Sequence, residues 1–367
     1  MAKFIIVCLF LICHAVYGNP AGEIASSLDD RQLAAQVLLT GVDGKDKLSP
    51  AMKALLEKIP AGGIMLFRYN LDSPKETVKK FLEEIYGLVA QNTGIPPFMA
   101  VDHEGGLVRR FGADVERLPS AFSFWELAGK EGREAALSRA ETLYRRSAKE
   151  IRELGITMVL GPVAETLNDD NRVFLETRSY GPEHDFTEAA ASVFIKSMDD
   201  AGISSAVKHF PGNTSSDPHS SVSSIKADRD LLSEMIKPFA GIIRQVNPPI
   251  IMLSHVIVPA IDSNKNSSLS PHVIQDWLRG ELGFEGIVLA DDFSMGAVSG
   301  LSPGDAAVEA LNAGVDMIMV WPTDLLSMHN SILEALKNGH LSRERLYEAA
   351  ERIIAGKIKY GLITLSE

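Results

Sequence analysis

Apolar positions along this chain fall into short solid runs, separated by longer stretches in which they recur every three to four residues. The runs are QVLLTG (36–41), GGIMLF (62–67), PFMAVD (97–102), ITMVLGPV (156–163), SSAVKHF (204–210), IIMLSHV (250–256), GIVLADDF (286–293) and DMIMVW (316–321). Runs this short and this uniformly apolar read as strands buried on both faces of a parallel sheet. The stretches between them carry helix signals. Ser73 and Pro74 open SPKETVKKFLEEIYGLV as N-cap and first-turn residues, and Gly155 closes REAALSRAETLYRRSAKEIRELG. Further helices are expected in DFTEAAASVFIKSM, DRDLLSEMIKPFAGII, SPHVIQDWLRGELG, SPGDAAVEALNAG and SRERLYEAAERIIAGKIKYG. Eight strand–helix units predict an α/β chain folded as a single (β/α)8 barrel, with allowance for an irregular first unit. A doubly wound open sheet is the competing architecture. It usually carries a Gly-rich phosphate loop after its first strand, and none is seen here.

The N-terminus breaks the alternation. Met1-Ala2-Lys3 precedes FIIVCLFLICHAVYG, a single positive charge followed by a short apolar run and small residues. That order reads as a secretory signal over residues 1–18, with the barrel domain at 25–367 and the protein exported to the periplasm or beyond the cell. A buried strand or a membrane anchor are the other readings, but the run is shorter than the roughly 20 residues that span a bilayer. Both cysteines, Cys8 and Cys13, fall in this segment. The mature chain is therefore expected to have neither disulfides nor a thiolate nucleophile. A lipid on Cys13 would tether the protein to a membrane, although Ile12 is bulkier than the residue usual before a lipidated cysteine. A net charge of −12 with no run of basic residues argues against nucleic acid as a partner. Nothing in the sequence fixes an oligomeric state; a monomer is favoured.

A barrel of this kind places its active site at the C-terminal ends of the strands, and there the ionisable residues gather. Asp102 and Glu104 follow strand three, Glu165 strand four, Lys208 and His209 strand five, His255 strand six, and Asp291 and Asp292 strand seven. In ADDFSM one acid is expected to face the mouth and the other the wall, since neighbours alternate on an extended chain. Asp291 is read as the one facing substrate, while Asp292 also fits a helix cap. In VDHEGGLVRRFG, Asp102 can accept from ligand hydroxyls, with Arg109 or Arg110 either donating to the ligand or holding the aspartate. Lys208 and His209 cannot both face the mouth by simple alternation, unless the Phe210-Pro211-Gly212 turn bends the chain. Asp217-Pro218-His219 reads three ways. The aspartate orients the histidine as a general acid/base, the segment is a solvated turn, or His209, Asp217, His219 and His255 hold a metal. No helical metal-ligand spacing supports the last.

Taken together these pieces resemble glycoside hydrolase family 3, and within it the β-N-acetylglucosaminidases of cell-wall turnover. The resemblance runs from about Asp30 to Ile363 through AVDHEGGLVRRF, LGPVAETLN, TRSYG, AVKHFPG, D-P-H, IMLSHVIVPAID, SLSPHVIQDWLRGELGFEGIVLADDFSMGAV, ALNAGVDMIMV and GHLSRERLYEAAERIIAGKIKYGL. It implies a (β/α)8 barrel and a retaining two-step mechanism on a GlcNAc-terminated saccharide, without a metal or an organic cofactor. Asp291 matches the family's nucleophile. Asp102, Arg110, Arg178, Lys208 and His209 match the residues that hold the terminal sugar. Asp217 and His219 match a dyad in which histidine protonates the leaving oxygen. Because the chain stops after one barrel, that acid is expected from the barrel's own loops. A β-glucosidase or phosphorylase on the same barrel, and a non-catalytic sugar-binding protein, are the competing readings. Some positions depart from the family. The loop after Lys208 is two residues shorter than usual, Asn213 stands for a histidine, Pro218 for a serine, Leu107 for an arginine and Glu165 for an aspartate.

Overall fold

The eight apolar runs fold as eight strands that close on one another in chain order, every neighbouring pair parallel. They are β1 (Leu38–Gly41), β2 (Gly63–Leu66), β3 (Phe98–Asp102), β4 (Met158–Val163), β5 (Ser204–Phe210), β6 (Ile250–Leu253), β7 (Ile287–Ala290) and β8 (Met317–Val320). The computed structural model describes residues 18–112, 115–216, 223–293 and 300–365. Nearly every strand residue is buried on both faces, because the barrel interior takes one set of side chains and the helices outside cover the other. The first unit is regular: β1 pairs with both β8 and β2. A (β/α)8 barrel, and not a doubly wound sheet, is therefore the fold.

The helices refine the sequence expectation in four places. The helix expected from Ser73 begins at Lys75 with Pro74 as its N-cap residue, a difference of the size that frayed helix ends produce. The stretch 228–243 splits into Arg229–Met235 and Lys237–Val246. Pro238 supplies no N–H for the first helix to continue, yet suits the first turn of the second. SPHVIQDWLRGELG winds as a π-helix over His272–Glu281. The helix Pro303–Ala313 takes Ser302, not Asp292, as its cap, the hydroxyl accepting from the Asp305 N–H. An antiparallel pair, Ile257–Val258 with Asp262–Asn266, stands beyond β6, and Ser268 just after it meets His255. No helix among the described residues is long and apolar enough to cross a membrane.

Candidate active site

A cavity of about 330 Å³ opens at the C-terminal ends of the strands, and residues from seven of the eight strand ends reach it. This lies within the size range of a small-molecule pocket. Its floor is apolar, with Met65, Leu160, Met252 and Met319. Its wall is charged.

The wall is built on the turn after β3. Gly105 and Gly106 adopt φ +94° and +54°, and a Cβ on Gly105 would lie 2.3 Å from the Pro119 carbonyl oxygen. Only glycine fits so tight a reversal. The turn folds the chain back so that Arg110 Nη2 donates to Asp102 Oδ2 at 3.1 Å. Lys208, at the end of β5, inserts between two acids. Its Nζ lies 2.9 Å from Asp102 Oδ1 and 2.7 Å from Glu104 Oε1. Arg178 completes the chain with a two-pronged contact, Nε and Nη2 donating to Glu104 at 2.8 and 2.9 Å. Two carboxylates thus alternate with three cations in a site largely shut from bulk water.

Burial alone would raise Asp102, but Lys208, with Arg110, outweighs it and holds the carboxyl below its ordinary range. Glu104 follows the same logic more strongly: burial opposes ionisation, and Lys208 and then Arg178 overcome it. For Lys208 burial works against the charge, while Asp102 and Glu104 more than restore it and leave the amine above its usual value. Asp102, Glu104 and Lys208 therefore stay charged near neutrality. They present a fixed array of N–H donors and carboxylate acceptors to the cavity, matched to a ligand rich in hydroxyls.

A second network anchors the start of the loop after β5. Glu165 accepts from His209 Nδ1 at 2.7 Å and from Asn213 Nδ2 and N at 2.9 and 2.6 Å. With its Nδ1 bonded to Glu165, the His209 ring is held at the cavity's edge. Lys208 and His209 both line the cavity, which simple alternation along a strand would not allow. The pairing of β5 with β6 slips between Val207 and Phe210, so strict alternation ends before either residue.

At β7 the sequence reading also needs correction: Asp291 and Asp292 both line the cavity, because the strand ends at Ala290 and its pleat no longer separates them. The Asp292 N–H donates to Asp291 Oδ1 at 2.9 Å, which fixes the rotation of that carboxylate. The Trp321 indole N–H donates to Asp292 Oδ2. His255, just past the end of β6, is buried. It lines the cavity, with Nδ1 2.7 Å from Ser268 Oγ and Nε2 3.2 Å from the Asp292 carbonyl. Burial pulls its pKa below the ordinary value, against the opposing pull of Asp291, so the ring is neutral near pH 7.

Of the residues singled out from the sequence, Asp291, Asp102, Arg110, Arg178, Lys208 and His209 all meet at this one cavity. Arg109 does not; it turns away and donates to the Gly112 carbonyl. Asp217 and His219 lie outside the described residues. The sequence reading missed Phe67 and Trp321, whose rings stack at 5.0 Å on the rim, and Phe174, which underlies Arg178. Phe67 and Trp321 each ended an apolar run, where an aromatic passes for one more strand residue. Among the described residues no three His, Cys, Asp or Glu side chains gather as a metal-ligand group.

Comparison with known proteins gives the family and agrees with the barrel fold. The glycosyl hydrolase family 3 N terminal domain matches residues 30–355. A beta-hexosaminidase of Methylococcus capsulatus is 34% identical over 298 residues, covering 80% of this chain and 84% of the relative. Beta-hexosaminidase A of Pseudoalteromonas piscicida is 28% identical and covers 85% of this chain and 56% of its own length. Among solved structures, a family 3 β-N-acetylglucosaminidase from Paenibacillus superposes with a TM-score of 0.85 at 28% identity, over 93% of this chain and 65% of that one. The chain thus spans just under two thirds of that solved chain's length, and rather more of the first curated relative.

Proposed function

The chain belongs to glycosyl hydrolase family 3 and is a glycoside hydrolase of its β-hexosaminidase kind; on that premise we propose that it removes terminal β-linked GlcNAc from peptidoglycan or chitin-type fragments, with retention of configuration. One observation carries the reading. The Asp291 carboxylate, its rotation fixed by the Asp292 N–H, faces the same small cavity as the charged array of Asp102, Lys208, Glu104, Arg178 and Arg110. The array binds the hydroxyls of one sugar ring and sets its anomeric carbon before Asp291. Asp291 attacks that carbon as the glycosidic bond breaks, and the leaving oxygen takes a proton from His219, which Asp217 orients. A water molecule then gives its proton back to His219 and displaces Asp291 from the sugar. Two inversions at one carbon give net retention.

A histidine acid suits this chemistry, since an unperturbed imidazole titrates near pH 6.5 and serves as acid and base in turn. Asp291→Ala should lower kcat by roughly 10⁴-fold. His219→Ala should impair substrates with poor leaving groups far more than nitrophenyl glycosides. Equal losses on both would remove His219 from the role. Nitrophenyl β-GlcNAc should be turned over well ahead of nitrophenyl β-glucoside, with no stimulation by phosphate. The reverse preference, or dependence on phosphate, would overturn the assignment.

A further inference from the structure

Glu165 joins two parts of the site that a reaction must keep in register. At the end of β4, Val163 pairs with Lys208, and the Ala164 N–H donates to the Lys208 carbonyl at 2.8 Å. The next side chain, Glu165, therefore arrives beside His209. Its own carbonyl accepts from the Ser179 hydroxyl at 2.7 Å, which holds the backbone from the other side. Glu165, His209 and Asn213 are all buried. Every group that reaches the carboxylate is a donor. Oε1 accepts from His209 Nδ1 at 2.7 Å, from the His209 N–H at 3.3 Å and from Asn213 Nδ2 at 2.9 Å. Oε2 accepts from the Asn213 N–H at 2.6 Å. Only a carboxylate offers nothing but acceptors; an amide of the same shape would set its NH2 against one group of donors. The network reaches out on two sides. The bond at Nδ1 places a proton on that nitrogen, so in the neutral ring Nε2 is an acceptor. Nε2 has no partner among the described residues, and the ring lines the cavity. On the other side, Asn213 is held four residues before Asp217 and six before His219.

We infer that Glu165 is a positioning residue with two separable outputs: it selects the ring nitrogen that His209 offers to the sugar, and through Asn213 it holds the base of the loop that carries the acid/base pair. Glu165 acts through His209 and Asn213, which line the cavity in front of it. The second output rests on the glycosidase reading above, in which His219 protonates the leaving oxygen. A carboxylate that served the fold alone would affect every substrate alike. One that positions two groups divides its effects between sugar binding and proton delivery.

The test reads the two outputs apart. Asn213→Ala removes the side-chain tether and leaves the carboxylate on His209. Its kcat/KM on diacetylchitobiose, whose leaving group needs a proton, should fall about tenfold more than on nitrophenyl β-GlcNAc, whose leaving group needs little. Its calorimetric affinity for GlcNAc should hold. Glu165→Gln should show the same bias between substrates and also bind GlcNAc about fivefold to tenfold more weakly. Equal losses on the two substrates in Asn213→Ala overturn the loop output, and an unchanged GlcNAc affinity in Glu165→Gln overturns the His209 output. Nitrogen-15 NMR of the wild-type His209 ring judges that second output without any variant, and so covers a Glu165→Gln that does not fold. The neutral ring should carry its proton on Nδ1, and a proton on Nε2 overturns the assignment. If the wild-type protein turns over neither substrate, the catalytic reading falls instead, while the ring tautomer and GlcNAc binding still decide the role of Glu165 at His209.

Discussion

Two buried ionic clusters sit at opposite ends of this barrel, and they are built from the same residue types for different ends. At the C-terminal end, Asp102 and Glu104 alternate with Lys208, Arg110 and Arg178, and the group opens onto a cavity. At the N-terminal end, fully buried Asp316 takes Arg279 on one oxygen at 2.6 Å, and Arg345 and Arg352 on the other at 2.8 and 3.2 Å. The Val288 N–H adds a fourth bond at 2.9 Å. The lower cluster spends its hydrogen-bonding capacity on the protein itself. It ties the π-helix His272–Glu281 and the closing helix Arg343–Lys359 to β7 and β8. The upper cluster lines an open cavity instead, where whatever enters meets its donors and acceptors. A buried charge network is therefore read by what its leftover donors and acceptors face, not by its charges.

The sharpest contrast comes from removing one acid in each. Asp316→Asn leaves three arginines short of their counter-charge in a closed site, and should cost about 3–5 kcal/mol of stability. The surviving folded fraction should keep its kcat, and urea unfolding together with active-site titration measures both. A variant of near-native stability would mean that the lower cluster is not structural. Asp102→Asn should do the reverse. Lys208 keeps Glu104, so the midpoint of unfolding should move little, while kcat/KM on nitrophenyl β-GlcNAc should fall roughly 10²- to 10³-fold.

Titration extends the comparison with a smaller effect. Asp102 and Glu104 are held below the ordinary carboxylate range. The stability they contribute is thus present above about pH 4 and lost as pH falls through their folded values. Lys357 behaves oppositely with respect to neutrality. It is buried at the lower end, where its amine donates to Gln36 Oε1 at 2.7 Å and lies over the Phe98 ring. Burial pushes its pKa down to about 7. Between that value and its unfolded value near 10.4, the unfolded chain binds a proton that the folded chain lacks. Stability should therefore rise with pH over this window, by up to about 1.4 kcal/mol per pH unit from this group. Urea midpoints from pH 7 to 10 should show the rise in the wild type and its loss in Lys357→Met. Parallel curves would show that Lys357 stays charged within the fold.

The sequence by itself determined the eight strands, their parallel arrangement and the end of the barrel where chemistry gathers. Those features follow from local period and from the position of a polar residue just after an apolar run, both of which are written in consecutive residues. Local pattern also misled in defined ways. Alternation was applied to Asp291-Asp292, past the point where a strand ladder holds, and DRDLLSEMIKPFAGII was read through its proline. Only the tertiary structure decided which charges meet. Lys208 finds Asp102 across 106 residues and Arg178 finds Glu104 across 74. Trp321 joins Phe67 and Tyr69 because β8 and β2 flank β1 in the closed barrel. The physical reason is common to these contacts. A partner brought near by chain closure leaves no mark on the local spacing of either residue, so the charged residues could be found from the chain alone, but not the long-range pairing of Lys208 and Arg178 with the acids or the rings that stand beside them.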